Sequence, residues 1–144
     1  MFDLDTNSRI TCWVDHRHSL ELSNDPLQEC WEFWKLAPFI PYNRYIDPNY
    51  QRGWPTPWEI IADNKYDDFT KALMISWTLK LTKRFSNSRI EIKSFIDSSI
   101  AQQYNLVFIN DDWILNYSDI SPIHKNDLPK SLNLENLILI DRPR

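Results

Sequence analysis

Apolar positions along this chain follow two spacings, one typical of helices and one typical of strands. Helical spacing occurs between Asp25 and Pro38, and again from Asp67 to about Thr82. The second stretch carries a stripe of apolar residues four positions apart, which Ala72 and Leu79 widen: Phe69, Leu73, Trp77 and Leu81. The pattern predicts two helices, of which the second lies at the centre of the fold.

Each predicted helix begins with a recognisable capping sequence. Asp25-Pro26 places a capping side chain before a proline, and Gln28 stands where a capping-box partner belongs. The run Thr56-Pro57-Trp58-Glu59 is a complete capping-box pattern and predicts a short additional helix to about Asp63. Asp67 or Asp68 is expected to cap the long helix.

Strand-type alternation occurs near the amino terminus and repeatedly in the second half. Ile10, Cys12 and Val14 alternate, which predicts a strand over residues 9–14. Further strands are predicted over residues 89–96, 104–109, 112–117 and 137–140, with a tight turn at Asn110-Asp111-Asp112 before the third of these. The strand at 137–140 is expected at the edge of the sheet. Whether the strand at 9–14 joins the same sheet stays open.

The order of these elements predicts an α+β fold, with a helical N-terminal half packed on a small antiparallel β-meander. The chain has 144 residues and is expected to form a single domain, 1–144. Its helix start followed by a meander is similar to the core of transglutaminase-like and papain-like enzymes. That resemblance implies a Cys nucleophile at the helix start and a His on a following strand. The run Tyr66-Asp67-Asp68-Phe69-Thr70 contains no Cys, and the strands at 89–96 and 104–109 contain no His.

Residues 38–55 form a proline-rich segment that is too apolar to stay free in water, and it is expected to wrap across the domain. Aromatic and arginine side chains dominate the binding energy of many protein interfaces. Five such residues in or beside this segment are predicted to bind a partner: Tyr42, Arg44, Tyr45, Trp54 and Trp58. The alternative is that Trp54 and Trp58 only anchor the helix start in the core.

Composition excludes several classes of function. The single glycine, Gly53, rules out glycine-rich phosphate loops, so Asn and Asp must fill most positions with positive φ. A net charge of −4 disfavours nucleic acid as a partner. No apolar run approaches the ~20 residues of a membrane span, so no membrane partner is expected.

Two weak patterns could hold a metal, but no cofactor is predicted. Cys and His are typical zinc ligands, and Cys12, His16 and His18 lie close together in the sequence, although a structural zinc site requires a fourth ligand. Four carboxylates could surround Mg²⁺ if turns bring them together: Asp63, Asp67, Asp68 and Asp112. Helix capping and turn formation explain those aspartates more simply, and whether they bind a cation stays open.

Several runs together resemble small uncharacterised proteins of contractile-tailed (myovirus) phages, especially those of marine cyanobacteria. These runs cover most of the chain: Trp31–Trp34, Pro38, Pro41–Arg44, Ile46–Pro48, Trp54–Glu59 and Tyr66–Leu73. The resemblance implies a minor virion or assembly component of the tail, baseplate or neck. It assigns no catalytic residues.

These observations predict a non-enzymatic phage protein that acts through protein–protein contacts, in the virion or the host cytoplasm. Its partners would be other phage structural or assembly proteins, and assembly into oligomers is compatible with this role. Two alternatives are a metal-dependent enzyme acting on nucleic acid or nucleotides, and a phage protein that binds a host factor. The sequence leaves the identity and stoichiometry of the partners open.

Overall fold

The computed structural model describes all residues 1–144 and places four helices against one antiparallel sheet. The helices come first: α1 (Thr6–Leu22), α2 (Pro26–Trp34), α3 (Pro57–Asp63) and α4 (Asp68–Lys80). The strands follow: β1 (Ile90–Asp97), β2 (Gln102–Ile109), β3 (Trp113–Leu115), β4 (Ile123–His124) and β5 (Leu132–Leu139). Their order in the sheet is β4-β3-β2-β1-β5, and every neighbouring pair is antiparallel. The predicted α+β fold is confirmed.

The helix starts follow the local capping chemistry. Thr56 and Glu59 form both hydrogen bonds of the capping box at α3. Asp67 caps α4 by accepting from the Thr70 amide at 2.7 Å. At α2 the predicted proline stands in the first turn, but the Asp25 side chain makes no capping hydrogen bond.

The predicted strand at residues 9–14 is wrong, because these residues lie within helix α1. Asp5 caps this helix by accepting from the Ser8 amide at 2.9 Å. The buried face consists of Arg9, Trp13 and Leu20, which recur at helical spacing. The helical pattern was missed because one of these buried positions is a charged residue. Arg9 can be buried because its guanidinium donates to the Ile61 and Ala62 carbonyls at the end of α3.

Strand β3 is shorter than predicted because Asn116 adopts positive φ (72°) and ends it. Asn110 and Asp111 both have a φ of 53°, so the tight turn before β3 is confirmed. Strand β5 begins five residues earlier than predicted, at Leu132 rather than residue 137, and lies at the sheet edge as expected. Five non-glycine residues in all have positive φ: Asn64, Ala101, Asn110, Asp111 and Asn116. Gly53 does not have positive φ. A Cβ atom at this position would lie 2.7 Å from the Tyr50 ring.

Aromatic rings fill the core between the helices and the sheet, around α4. Thr78 on α4 accepts hydrogen bonds from the indole nitrogens of Trp13, at 2.9 Å, and Trp34, at 3.1 Å. One hydroxyl therefore ties α1 and α2 to α4.

None of the four helices combines the length and apolar character that crossing a bilayer requires.

Candidate functional site

A cavity of about 540 Å³ opens at the N-terminal end of α4, and we call it the α4 groove. Four parts of the chain line it beside α4 itself: α2, the proline-rich segment, the first half of β2 and the loop after β3. Its main lining residues are Trp31, Phe39, Tyr42, Asp67, Asp68, Lys71, Gln103, Tyr104, Asn105, Asn116, Tyr117 and Asp119. Open cavities with aromatic walls and a few convergent polar groups are the usual form of ligand sites.

The half-buried carboxylate of Asp68 is held at the start of α4 by amide donors from β2 and from the residue after β3. Its Oδ2 accepts from the backbone N–H and the side-chain Nδ2 of Asn105, both at 3.0 Å. Its Oδ1 accepts from Nδ2 of Asn116 at 3.2 Å. These donors are neutral, so they fix the carboxylate without cancelling its charge.

The two asparagines are themselves fixed. Asn116 also donates to the backbone carbonyl of Asn105 at 2.8 Å. The Asn105 side-chain oxygen accepts from the Ser94 hydroxyl on β1 at 2.9 Å. Four elements therefore converge on one hydrogen-bonded cluster, which is arranged before any ligand binds.

Asp67 has a structural role beside this cluster. One oxygen accepts from the Thr70 amide and hydroxyl, at 2.7 and 2.6 Å. The other accepts from the backbone N–H of Asn43 at 2.9 Å, which fastens the proline-rich segment to α4. Asp67 thus positions one wall of the groove.

Aromatic side chains form much of the remaining wall. The rings of Tyr104 and Tyr117 lie 5.4 Å apart at 49°. Burial, with smaller contributions from Tyr117 and Asp97, raises the pKa of Tyr104. Phe39 and Tyr42 from the proline-rich segment are exposed rings that also line the groove.

The structure separates the five predicted partner-binding residues. Tyr42 is 74% exposed and lines the groove. Tyr45 is 69% exposed but lies outside it, with the Arg44 guanidinium 5.0 Å over its ring. Trp58 is 40% exposed and packs edge-on against Trp13 in α1.

Trp54 requires a correction. It is only 6% exposed and packs between Phe69 and Trp77, with its indole nitrogen donating to the Asp47 carbonyl at 2.7 Å. It is a core residue, so the partner-binding prediction is wrong for this position.

The candidate metal ligands do not come together. No group of three or more His, Cys, Asp or Glu side chains is arranged to hold a metal ion. Asp112 instead bonds to His124 at 2.8 Å, across the β3–β4 pair. On α1, His16 stacks on Phe33 at 3.9 Å. Cys30 is fully buried, and burial raises the pKa of its thiol.

This combination of helices and sheet is a transglutaminase/papain-like fold, of the kind found in cysteine proteases. Calcium-bound LapG from Legionella pneumophila matches over 94% of this chain and 80% of its own, with a TM-score of 0.67 and 19% identity. A second LapG structure matches over 93% of this chain and 77% of its own, with a TM-score of 0.69 and 19% identity. No protein-family model and no curated protein matches the sequence.

The prediction that the chain is not an enzyme is contradicted by these matches. LapG is a calcium-dependent cysteine protease, and this chain has its fold. The prediction rested on finding no Cys at the helix start and no His on the strands predicted at 89–96 and 104–109. The start of α4 carries Asp68, and a carboxylate can also act in acid–base chemistry.

Calcium is recorded for the LapG structure, and that is a property of LapG. Calcium takes six to eight oxygen ligands, usually including several carboxylates. The chain has no group of three or more metal-binding side chains that could supply them.

Sequence reasoning overlooked Asn105 and Asn116, which complete the site. They lie 37 and 48 positions after Asp68, so no local motif links them. The only signal was general: in a chain with one glycine, an Asn can adopt positive φ where a strand must turn. Asn116 does so, and the resulting turn directs its amide into the groove cluster.

Proposed function

We propose that this chain binds an extended polypeptide segment in the α4 groove. The observation that carries the proposal is the groove itself, which is open, has aromatic walls and contains a prearranged cluster of hydrogen-bonding groups around Asp68. Backbone amides of a peptide need such donors and acceptors, while its side chains can pack on the rings.

Charge supports a polypeptide over a nucleic acid. Asp67, Asp68 and Asp119 line the groove, against one cation, Lys71. Phosphates would be repelled by this balance. The chain as a whole also has a net charge of −4.

A random decapeptide library tests the proposal, with affinities of selected peptides measured by fluorescence anisotropy. Removing the exposed ring of Tyr42 should weaken binding about tenfold or more, because aromatic anchors carry much of the energy of such contacts. Tyr45→Ala is the matched control, since Tyr45 is similarly exposed but lies outside the groove. Equal affinities of the two variants, or no selected peptide at all, would contradict the proposal.

Hydrolysis of the bound peptide is a second candidate, favoured by one free acceptor position on Asp68. A carboxylate offers about four lone-pair positions, and three donor hydrogens already occupy this one. The remaining position on Oδ1 would take one proton from a water whose oxygen bonds to the peptide carbonyl carbon. The C–N bond of the resulting tetrahedral intermediate would then break, and Asp68 would pass that proton to the leaving amine nitrogen.

Mass spectrometry of peptides incubated with the protein tests this candidate. Asp68→Asn keeps the shape of the side chain and removes the base, so it should abolish cleavage if the candidate is right. Cleavage that persists in this variant, or intact peptides with the native protein, would reject it while leaving the binding proposal in place.

A phage virion or assembly role remains our prediction for the biological setting, and an alternative is binding of a host factor. A groove that accepts a segment of another protein would serve either role. Mass spectrometry of purified particles separates them, since a virion component is present at fixed copy number and a host-directed protein occurs only in infected cells.

A further inference from the structure

The groove contains part of a free β-strand edge. Strand β2 pairs with β1 along its whole length, from Gln102 to Ile109. On its other side β3 covers only residues 107–109. The first half of β2 therefore has no strand partner on the side that faces the groove.

The direction of the backbone groups on this edge follows from the observed hydrogen bonds. The N–H of Asn105 donates to Asp68 and its carbonyl accepts from Asn116, so both groups point away from β1. Backbone direction alternates along a strand, and the β1–β2 register is regular. The N–H and carbonyl of Gln103 therefore point away from β1 too, into the α4 groove.

Asn116 explains why the edge stays open. Its positive φ ends β3 and turns the chain away from β2. Its side-chain amide occupies the Asn105 carbonyl that a continued strand would have bonded. The next outward-facing N–H and carbonyl along this edge belong to Gln103, and no side chain forms a hydrogen bond with them.

We infer that a polypeptide segment binds in the α4 groove as an added β-strand, pairing with the backbone of Gln103 on the free half of β2. This inference rests on the proposed function and specifies its mode. An extended peptide is the occupant that fits, because its N–H and carbonyl groups complement an exposed strand edge. Alternate side chains of the added strand would face the rings of Tyr104 and Tyr117.

Two substitutions at one position separate backbone pairing from side-chain recognition. Gln103→Pro removes the N–H that points into the groove, and it leaves the β1–β2 hydrogen bonds intact because Gln103 contributes none to them. Gln103→Ala removes the side chain and keeps the N–H. Strand addition predicts that the proline variant binds library-selected decapeptides about five- to tenfold more weakly, while the alanine variant stays within about twofold of the native protein.

The outcomes distinguish this inference from the function on which it rests. If the native protein binds no decapeptide, the proposed function fails and the inference fails with it. If peptides bind and both variants keep native affinity, or lose affinity equally, strand addition is wrong and peptide binding stands. Should the proline variant not fold, amide hydrogen exchange of the native protein decides: the bound peptide must slow exchange at Gln103, and an unchanged rate overturns the inference.

Discussion

Thr78 offers the sharpest test of how the core holds the groove-bearing helix in place. The Thr78→Val variant keeps the shape of the side chain but removes the acceptor shared by Trp13 and Trp34. Two buried indole N–H groups then lose their partner, at a cost of about 1–3 kcal/mol each. The expected loss in the free energy of unfolding is about 2–6 kcal/mol, a large part of the 5–15 kcal/mol typical of a domain.

Urea denaturation followed by circular dichroism measures this loss, and Ser76→Ala is the matched control. Ser76 is on the same helix and equally buried, but its hydroxyl only donates to the Ala72 carbonyl. Its removal leaves no N–H without an acceptor, so the loss should stay below about 1 kcal/mol. The reasoning is refuted if Thr78→Val is no more destabilising than Ser76→Ala.

Three further predictions follow from burial. Burial lowers the pKa of His16 from 6.5 to about 4, so as pH drops through this range the unfolded chain takes up a proton that the folded chain does not. The free energy of unfolding should therefore fall between about pH 6.5 and pH 4. Thermal denaturation at several pH values should show a weaker decline in stability for His16→Phe than for the native protein, and an identical decline would contradict this. Trp54→Ala should reduce the free energy of unfolding by about 3–5 kcal/mol in urea denaturation, whereas Tyr42→Ala should change it by about 0.5 kcal/mol or less; equal effects would place Trp54 outside the core. A thiol reagent should label Cys12, which is half-buried, and leave Cys30 unmodified until the protein unfolds, and rapid labelling of both would contradict the packing of α2.

Local chemistry made the starts of α3 and α4 and the β2–β3 turn predictable. The capping box at Thr56 and the cap at Asp67 use side chains within three residues of each other, and the Asn110-Asp111 turn uses neighbours. Such features depend little on the rest of the fold. The same reasoning failed at α1, because three alternating apolar residues fit a short strand while the true core face includes a buried arginine, Arg9.

The groove could be predicted only in part. Tyr42 was predicted as a contact residue from its type, since an aromatic ring in an irregular segment is typical of a contact surface, and it lies in the groove wall. Trp54 satisfied the same criterion and is buried, because burial depends on what packs over the ring. The Asp68 cluster depends on Asn105 and Asn116, whose approach is set by sheet register and by one backbone turn.

The most direct test of the account is backbone and side-chain amide NMR of the protein titrated with the tightest decapeptide from the library. Peptide binding in the α4 groove predicts that the largest shifts occur at Gln103 and at the side-chain amides of Asn105 and Asn116. Shifts at a surface remote from α4 and β2, with these amides unchanged, would contradict the central claim that this groove is the functional site.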